Sequence, residues 1–139
     1  MKRLRDLTPR QRALAAKAAA LQAVVVPLVR VLGFRRVKSL VAGLAPLAKK
    51  KASDARVDEA AWVAYGVARR SRPRASCVPR ALVLWALLRR MGVEGIVRFG
   101  ARKAGESIEA HAWVEVEGRA IGEGESGREE FPRLESGGG

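Results

Sequence analysis

The hydrophobic pattern of this chain changes period once, at Gly92, and that change restricts the folds open to it. Before Gly92, apolar residues recur every three or four positions, the spacing of one helix face. After Gly92 they alternate, the spacing of a half-buried strand. A chain that runs helices first and strands second reads as α+β. Its 139 residues suit one domain. A hydrophobic share of 48 % is enough for a real core and rules out wholesale disorder.

The punctuation along the chain places the elements. Thr8-Pro9 marks a helix start, with Thr as N-cap and Pro at the first helical position. The helix is predicted over Ala13 to Val26, until Pro27 breaks it, with Leu28 to Leu32 as a resumption before Gly33. A second helix is predicted over Arg36 to Lys49, its last turn favoured by Lys49, Lys50 and Lys51. A loop at Ala52-Ser53-Asp54 leads to a third helix, Val57 to Ala68, and a basic loop over Arg69 to Ala75 follows. A fourth helix opens at Ser76-Cys77-Val78-Pro79, where Ser76 or a neighbour supplies the cap, and ends at Gly92. Strands are predicted at Gly95 to Ala101, Ile108 to Val116 and Arg119 to Glu123. In the second of these, Ala110, Ala112, Val114 and Val116 share one face, and Glu109, His111, Trp113 and Glu115 the other. The expected division is a helical region over 1–56, a core over 57–131 and a flexible Gly-ended tail over 132–139.

Charge and cysteine content narrow the function classes. Residues 1–103 hold 24 Lys/Arg against 5 Asp/Glu, whereas residues 104–139 hold 3 against 9. The basic part suits solvated helix faces or an acidic partner. Trp62, Tyr65 and Phe34 do not interleave with the basic residues, so a stacking platform for single-stranded nucleic acid is unsupported. A single Cys forbids an intrachain disulfide and points to a reducing, cytoplasmic setting. One Cys and one His are too few for a structural zinc, and no cofactor is expected. The most apolar stretch, Ala18 to Val29, is short of the roughly 20 residues of a membrane span and contains Pro27. It also lies far from Lys2, Arg3 and Arg5, with Arg10, Arg12 and Lys17 between, which argues against a signal peptide.

Cys77 and His111 are the residues with chemistry to offer. A free thiol has a pKa near 8.5 and needs help to ionise at neutral pH (about 8.5 unperturbed). A helix N-terminus gives that help through its partial positive charge, and Arg72, Arg74 and Arg80 surround Cys77 in sequence. A nearby imidazole would take the proton. A third group must hold the imidazole in one tautomer. No Asp follows Asp58, there is no Asn, and both Gln residues are N-terminal, so a downstream orienter is a Glu. A two-residue loop at Glu117-Gly118 pairs 111 with 124 and leaves no acid of the next strand on the face of His111. A three-residue loop with Gly118 in the left-handed position pairs 111 with 123 and sets Glu123 opposite His111. The three-residue register is the one expected.

These residues carry a resemblance. Ser76-Cys77-Val78-Pro79-Arg80-Ala81-Leu82 with Leu87-Leu88-Arg89-Arg90-Met91-Gly92-Val93 resembles the cysteine-helix motif of the stand-alone leader peptidases of lasso-peptide biosynthesis, a transglutaminase-like cysteine peptidase family. Phe99-Gly100-Ala101-Arg102-Lys103 and Glu109-Ala110-His111-Ala112-Trp113-Val114-Glu115-Val116-Glu117-Gly118 resemble its sheet motifs. The resemblance is strongest over 76–123 and implies a papain-like or transglutaminase-like core, a cysteine-bearing helix packed on a small antiparallel sheet. It implies Cys77 as nucleophile, His111 as base and an acid at position 123, where this chain has Glu in place of the family's Asp; Glu125 is the fallback. It further implies removal of the leader from a precursor peptide of leader and core, beside a leader-recognition protein and an ATP-dependent lasso cyclase. Two other readings remain: a non-catalytic basic module binding nucleic acid or anionic membrane, and acyl transfer to an amine instead of hydrolysis.

Overall fold

A computed structural model describes residues 7–44, 47–70 and 77–121. Four helices precede three strands: α1 (Pro9–Leu32), α2 (Phe34–Leu44), α3 (Asp54–Arg70), α4 (Cys77–Arg90), β1 (Ile96–Ala104), β2 (Ser107–Val116) and β3 (Arg119–Ile121). The α+β order read from the change of period is the observed one.

α1 begins as its sequence dictates. The Thr8 side chain accepts from the Gln11 backbone N–H at 3.2 Å, and the Thr8 N–H donates to Gln11 Oε1 at 3.0 Å. This reciprocal box satisfies two donors that a helix start leaves open. Pro27 does not break the helix, contrary to expectation; α1 runs through it to Gly33, whose φ is 86°. A mid-helix proline loses one hydrogen bond and crowds the preceding turn. Here Pro27 faces solvent while Val25, two residues away, is locked in the core at 1 % exposure, so packing holds the helix together. The continuous α1 therefore exceeds the Ala18–Val29 stretch. It contains an 18-residue window of mean hydropathy 1.6, long and apolar enough to cross a membrane by length and composition.

Gln11 and Arg10 fasten the start of α1 to α3. Arg10 makes a two-pronged contact with Glu59, Nε to Oε1 and a terminal nitrogen to Oε2, both at 3.1 Å. Gln11, itself buried, donates to Glu59 Oε2 at 3.2 Å. These donors, Arg10 foremost, hold the Glu59 carboxyl below its ordinary range.

α2 is shorter than expected and displaced toward the N-terminus. It ends at Leu44, so Lys49, Lys50 and Lys51 do not sit in its last turn. Gly43 and Pro46 are the sequence reasons, since neither favours a helix interior. Beyond it, the Ala48 N–H donates to the Arg89 carbonyl at 2.9 Å and the Ala52 N–H to the Met91 carbonyl at 2.8 Å. The 48–52 segment thus satisfies carbonyls at the end of α4. α3 begins at Asp54, earlier than expected, because Ser53 caps it: the Arg56 N–H donates to Ser53 Oγ.

α4 is the central element, with every residue from Ala81 to Leu88 buried. Gly92 ends it at φ 77°. A Cβ there would run into the Lys50 carbonyl and the Lys51 backbone. The sheet is antiparallel in the order β1-β2-β3. Val97, Ala112, Val114, Val116 and Ile121 join the helices in one core cluster. Phe34 of α2 meets Phe99 of β1 edge-to-face at 5.0 Å.

The last hairpin corrects the expected register. Val116 pairs with Arg119, Glu115 with Ala120 and Val114 with Ile121, a two-residue turn rather than three. Glu117 and Gly118 both have positive φ, 52° and 80°, the type I′ geometry whose twist suits a tight hairpin. Lys51 holds the Glu117 carboxylate at 2.9 Å.

Two outcomes follow. Gly92→Ala should lower stability in urea unfolding by about 2–3 kcal/mol or more, since it adds left-handed strain to a backbone collision. A carboxylate whose folded pKa is depressed stabilises above its unfolded value and loses that contribution as pH falls. The wild type should therefore unfold at a higher temperature than Glu59→Gln at neutral pH. The gap should close as pH drops below the ordinary value of 4.5.

Candidate active site

The first turn of α4 and the middle of β2 hold the two expected reactive residues. Cys77 is the first residue of α4, and only its backbone placement is described. That position faces the partial positive charge and open N–H groups of a helix start. Arg80, one turn along, places its guanidinium over the Tyr65 ring at 5.1 Å. The buried Tyr65 hydroxyl donates to the Ile121 carbonyl at 3.5 Å. Tyr65 thereby ties α3 and the start of α4 to the last described residue of β3. In sequence Tyr65 falls within the third predicted helix, Val57 to Ala68, and nothing there signals this link.

His111 stands in β2 opposite Gly100, which has no side chain to crowd the imidazole. It is half-buried, and its ring stacks on Trp113 with centroids 5.9 Å apart and planes at 25°. Trp113 is 1 % exposed and donates through Nε1 to Glu115 Oε2 at 2.8 Å. Glu115 is 3 % exposed, and its Oε1 lies 3.7 Å from Arg98 Nε. That distance makes an ion pair rather than a hydrogen bond. A buried carboxylate is costly without such partners. The series Arg98, Glu115, Trp113, His111 is one connected set of contacts, with every β2 member on the face that alternation assigned. Glu115 was the member overlooked. The strand period placed it beside Trp113, but nothing in sequence distinguished a buried acid from a solvated one.

Cys77 opens the helix that packs on β2, and His111 lies within β2. Trp85 Nε1 donates to the Gly95 carbonyl at 3.0 Å, fixing the C-terminal part of α4 at the start of β1. The faces differ, however. Val114 approaches Leu88 of α4 around Gly95, so α4 packs on the Ala112, Val114 and Val116 face. Alternation puts His111 on the other face. Glu123 and Glu125 lie outside the described residues, as does Ser76, the expected cap. The observed two-residue turn removes the register argument that singled out Glu123, leaving the family resemblance as its support.

The chain belongs to the transglutaminase-like superfamily, whose family model matches residues 19–136. The four helices and three-stranded antiparallel sheet are consistent with its α+β core, a fold of the cysteine-peptidase type. No curated protein and no solved structure matches.

Glu115→Ala should cost about 3–5 kcal/mol in urea unfolding, because it leaves the Arg98 charge and the Trp113 N–H without their buried acceptor. An effect under about 1 kcal/mol would mean that the contact carries no structural weight.

Proposed function

We propose that this chain is a cysteine peptidase that cleaves the leader from a lasso-peptide precursor, acting with a leader-recognition protein and feeding an ATP-dependent lasso cyclase. One observation carries the chemistry: in a transglutaminase-like chain, the lone cysteine opens the buried helix that packs on the strand bearing the lone histidine. The substrate and partners rest on the resemblance of the Cys77 and His111 motifs to the lasso leader peptidases. A cytoplasmic location fits a chain whose single thiol must stay reduced.

In the proposed reaction His111 accepts the Cys77 proton and the sulfur attacks the carbonyl of the last leader residue. The C–S bond forms as the C–N bond breaks, and His111 returns the proton to the departing amine of the core peptide. Water then attacks the thioester, releasing the leader carboxylate and the thiol. The Cys77 backbone N–H is one donor for the oxyanion. The scheme requires Cys77 Sγ to reach His111 beyond the end of the α4–β2 contact. It also requires Glu123, or Glu125 in its place, to orient the imidazole.

The test is mass spectrometry of precursor peptide incubated with the protein and its recognition partner. Wild type should release leader and core. Cys77→Ala should abolish cleavage, and His111→Ala should slow it by about 10³-fold or more. Glu123→Gln and Glu125→Gln should separate the two acids, the true orienter giving the larger loss. Cleavage that survives Cys77→Ala overturns the proposal, and transfer of the leader to an added amine in place of water redirects it to acyl transfer.

A further inference from the structure

α1 is apolar on both sides, and only one side is used by the fold. Ala18, Gln22 and Val25 turn into the core, and α1 packs on α3 and α4. Of the 18-residue apolar window only 17 % is buried. On the opposite side Ala13, Ala16, Ala20, Val24, Pro27 and Val31 recur at three- and four-residue spacing, all exposed, with Val24 at 56 % and Val31 at 80 %. At 100° per residue, no charged side chain enters that outer sector. Arg12 and Arg30 follow one border of it and Lys17 the other. α2, which follows at Gly33, separately exposes Leu40 and Leu44, and Arg35 and Arg36.

The residues that border this face, Arg12, Lys17 and Arg30, are all cationic. Between Asp6 and Asp54 the sequence has ten Lys or Arg and no Asp or Glu; of these, Arg10 is paired with Glu59 and Lys51 with Glu117. An apolar helix face bordered by cations complements a surface that is apolar inside and anionic outside. Long basic side chains at its borders can extend to headgroups while the face between them enters the boundary region. A protein partner is the weaker match, because this face has no Trp, Tyr, Phe or Met to anchor in a pocket. Spanning is also the weaker match. The inner face is committed to α3 and α4, and buried Gln11 is bound to Glu59.

We propose that the outer face of α1 seats this domain on an anionic lipid bilayer, with α1 lying in the headgroup plane. The apolar side chains on α1 are small, so attachment is shallow and depends on anionic lipid. The peptidase reading is separate: either stands if the other fails.

The experiment is sedimentation of the untagged full chain with phosphatidylcholine vesicles, with and without phosphatidylglycerol, at low and high salt. Wild type should pellet with the phosphatidylglycerol vesicles at low salt, and high salt should release it. The double variant Val24→Glu/Val31→Glu, checked for retained helicity and melting temperature, should bind about tenfold or more weakly. Arg30→Gln should weaken binding less and reduce its salt sensitivity. Failure of wild type to pellet at low salt overturns the proposal. So does equal binding by the double variant, which would leave only diffuse charge. A concentration-dependent dimer that the double variant disperses would assign the face to a second copy of the chain. Capture of the wild-type face by the soluble recognition protein, lost in the double variant and without vesicle binding, would assign it to that protein.

Discussion

The burial of α4 on all sides is the constraint from which the other elements take their places. Eight consecutive residues, Ala81 to Leu88, are withdrawn from water, so no face of this helix is left to amphipathic compromise. α1 and α3 cover it from the helical half and β2 from the sheet, with α2 bridging α4 to α1. A helix enclosed in this way holds its first turn in fixed relation to the strands. Lys38 and Arg89 both lie over the Trp85 ring, 5.3 and 5.1 Å from its centre. Burial, and then the neighbouring Arg89, lower the Lys38 pKa. Crowding two cations about one indole is tolerable because the ring face offers each an attractive partner.

The sheet divides its labour between faces. Val97, Ala112, Val114 and Ile121 belong to the common core, whereas Arg98, Trp113 and Glu115 form a polar-edged cluster beside His111. An imidazole stacked on a ring that is itself hydrogen-bonded has less freedom to tilt than one on an open strand. That constraint comes from residues with no part in bond making.

Much of this architecture was legible because local signals agreed with packing. Thr8-Pro9 and Gly92 are boundaries set by backbone chemistry, and the chain obeys them. The alternation about His111 survives because a strand has only two faces. Pro27 misled because its local cost is small beside the tertiary packing of Val25 and its neighbours. The hairpin misled for the reverse reason. A two-residue turn asks Glu117 for positive φ, which a glutamate rarely adopts, and nothing in sequence announced that Lys51, 66 residues earlier, would hold its carboxylate. The burial of Glu115 was likewise invisible, since its partners Trp113 and Arg98 meet only once β1 and β2 pair.

The strap formed by residues 48–52 has a mechanical meaning. Its two backbone bonds to Arg89 and Met91 close the end of α4 opposite the thiol, and Gly92 leaves room for it by having no side chain. The connector between α2 and α3 is thereby part of the central helix's anchorage. A peptide-bond cut within it, though distant from Cys77 along the chain, would unfasten the far end of the helix that carries Cys77. The first turn of α4 is thus tied to a surface loop that lies far from Cys77 in sequence.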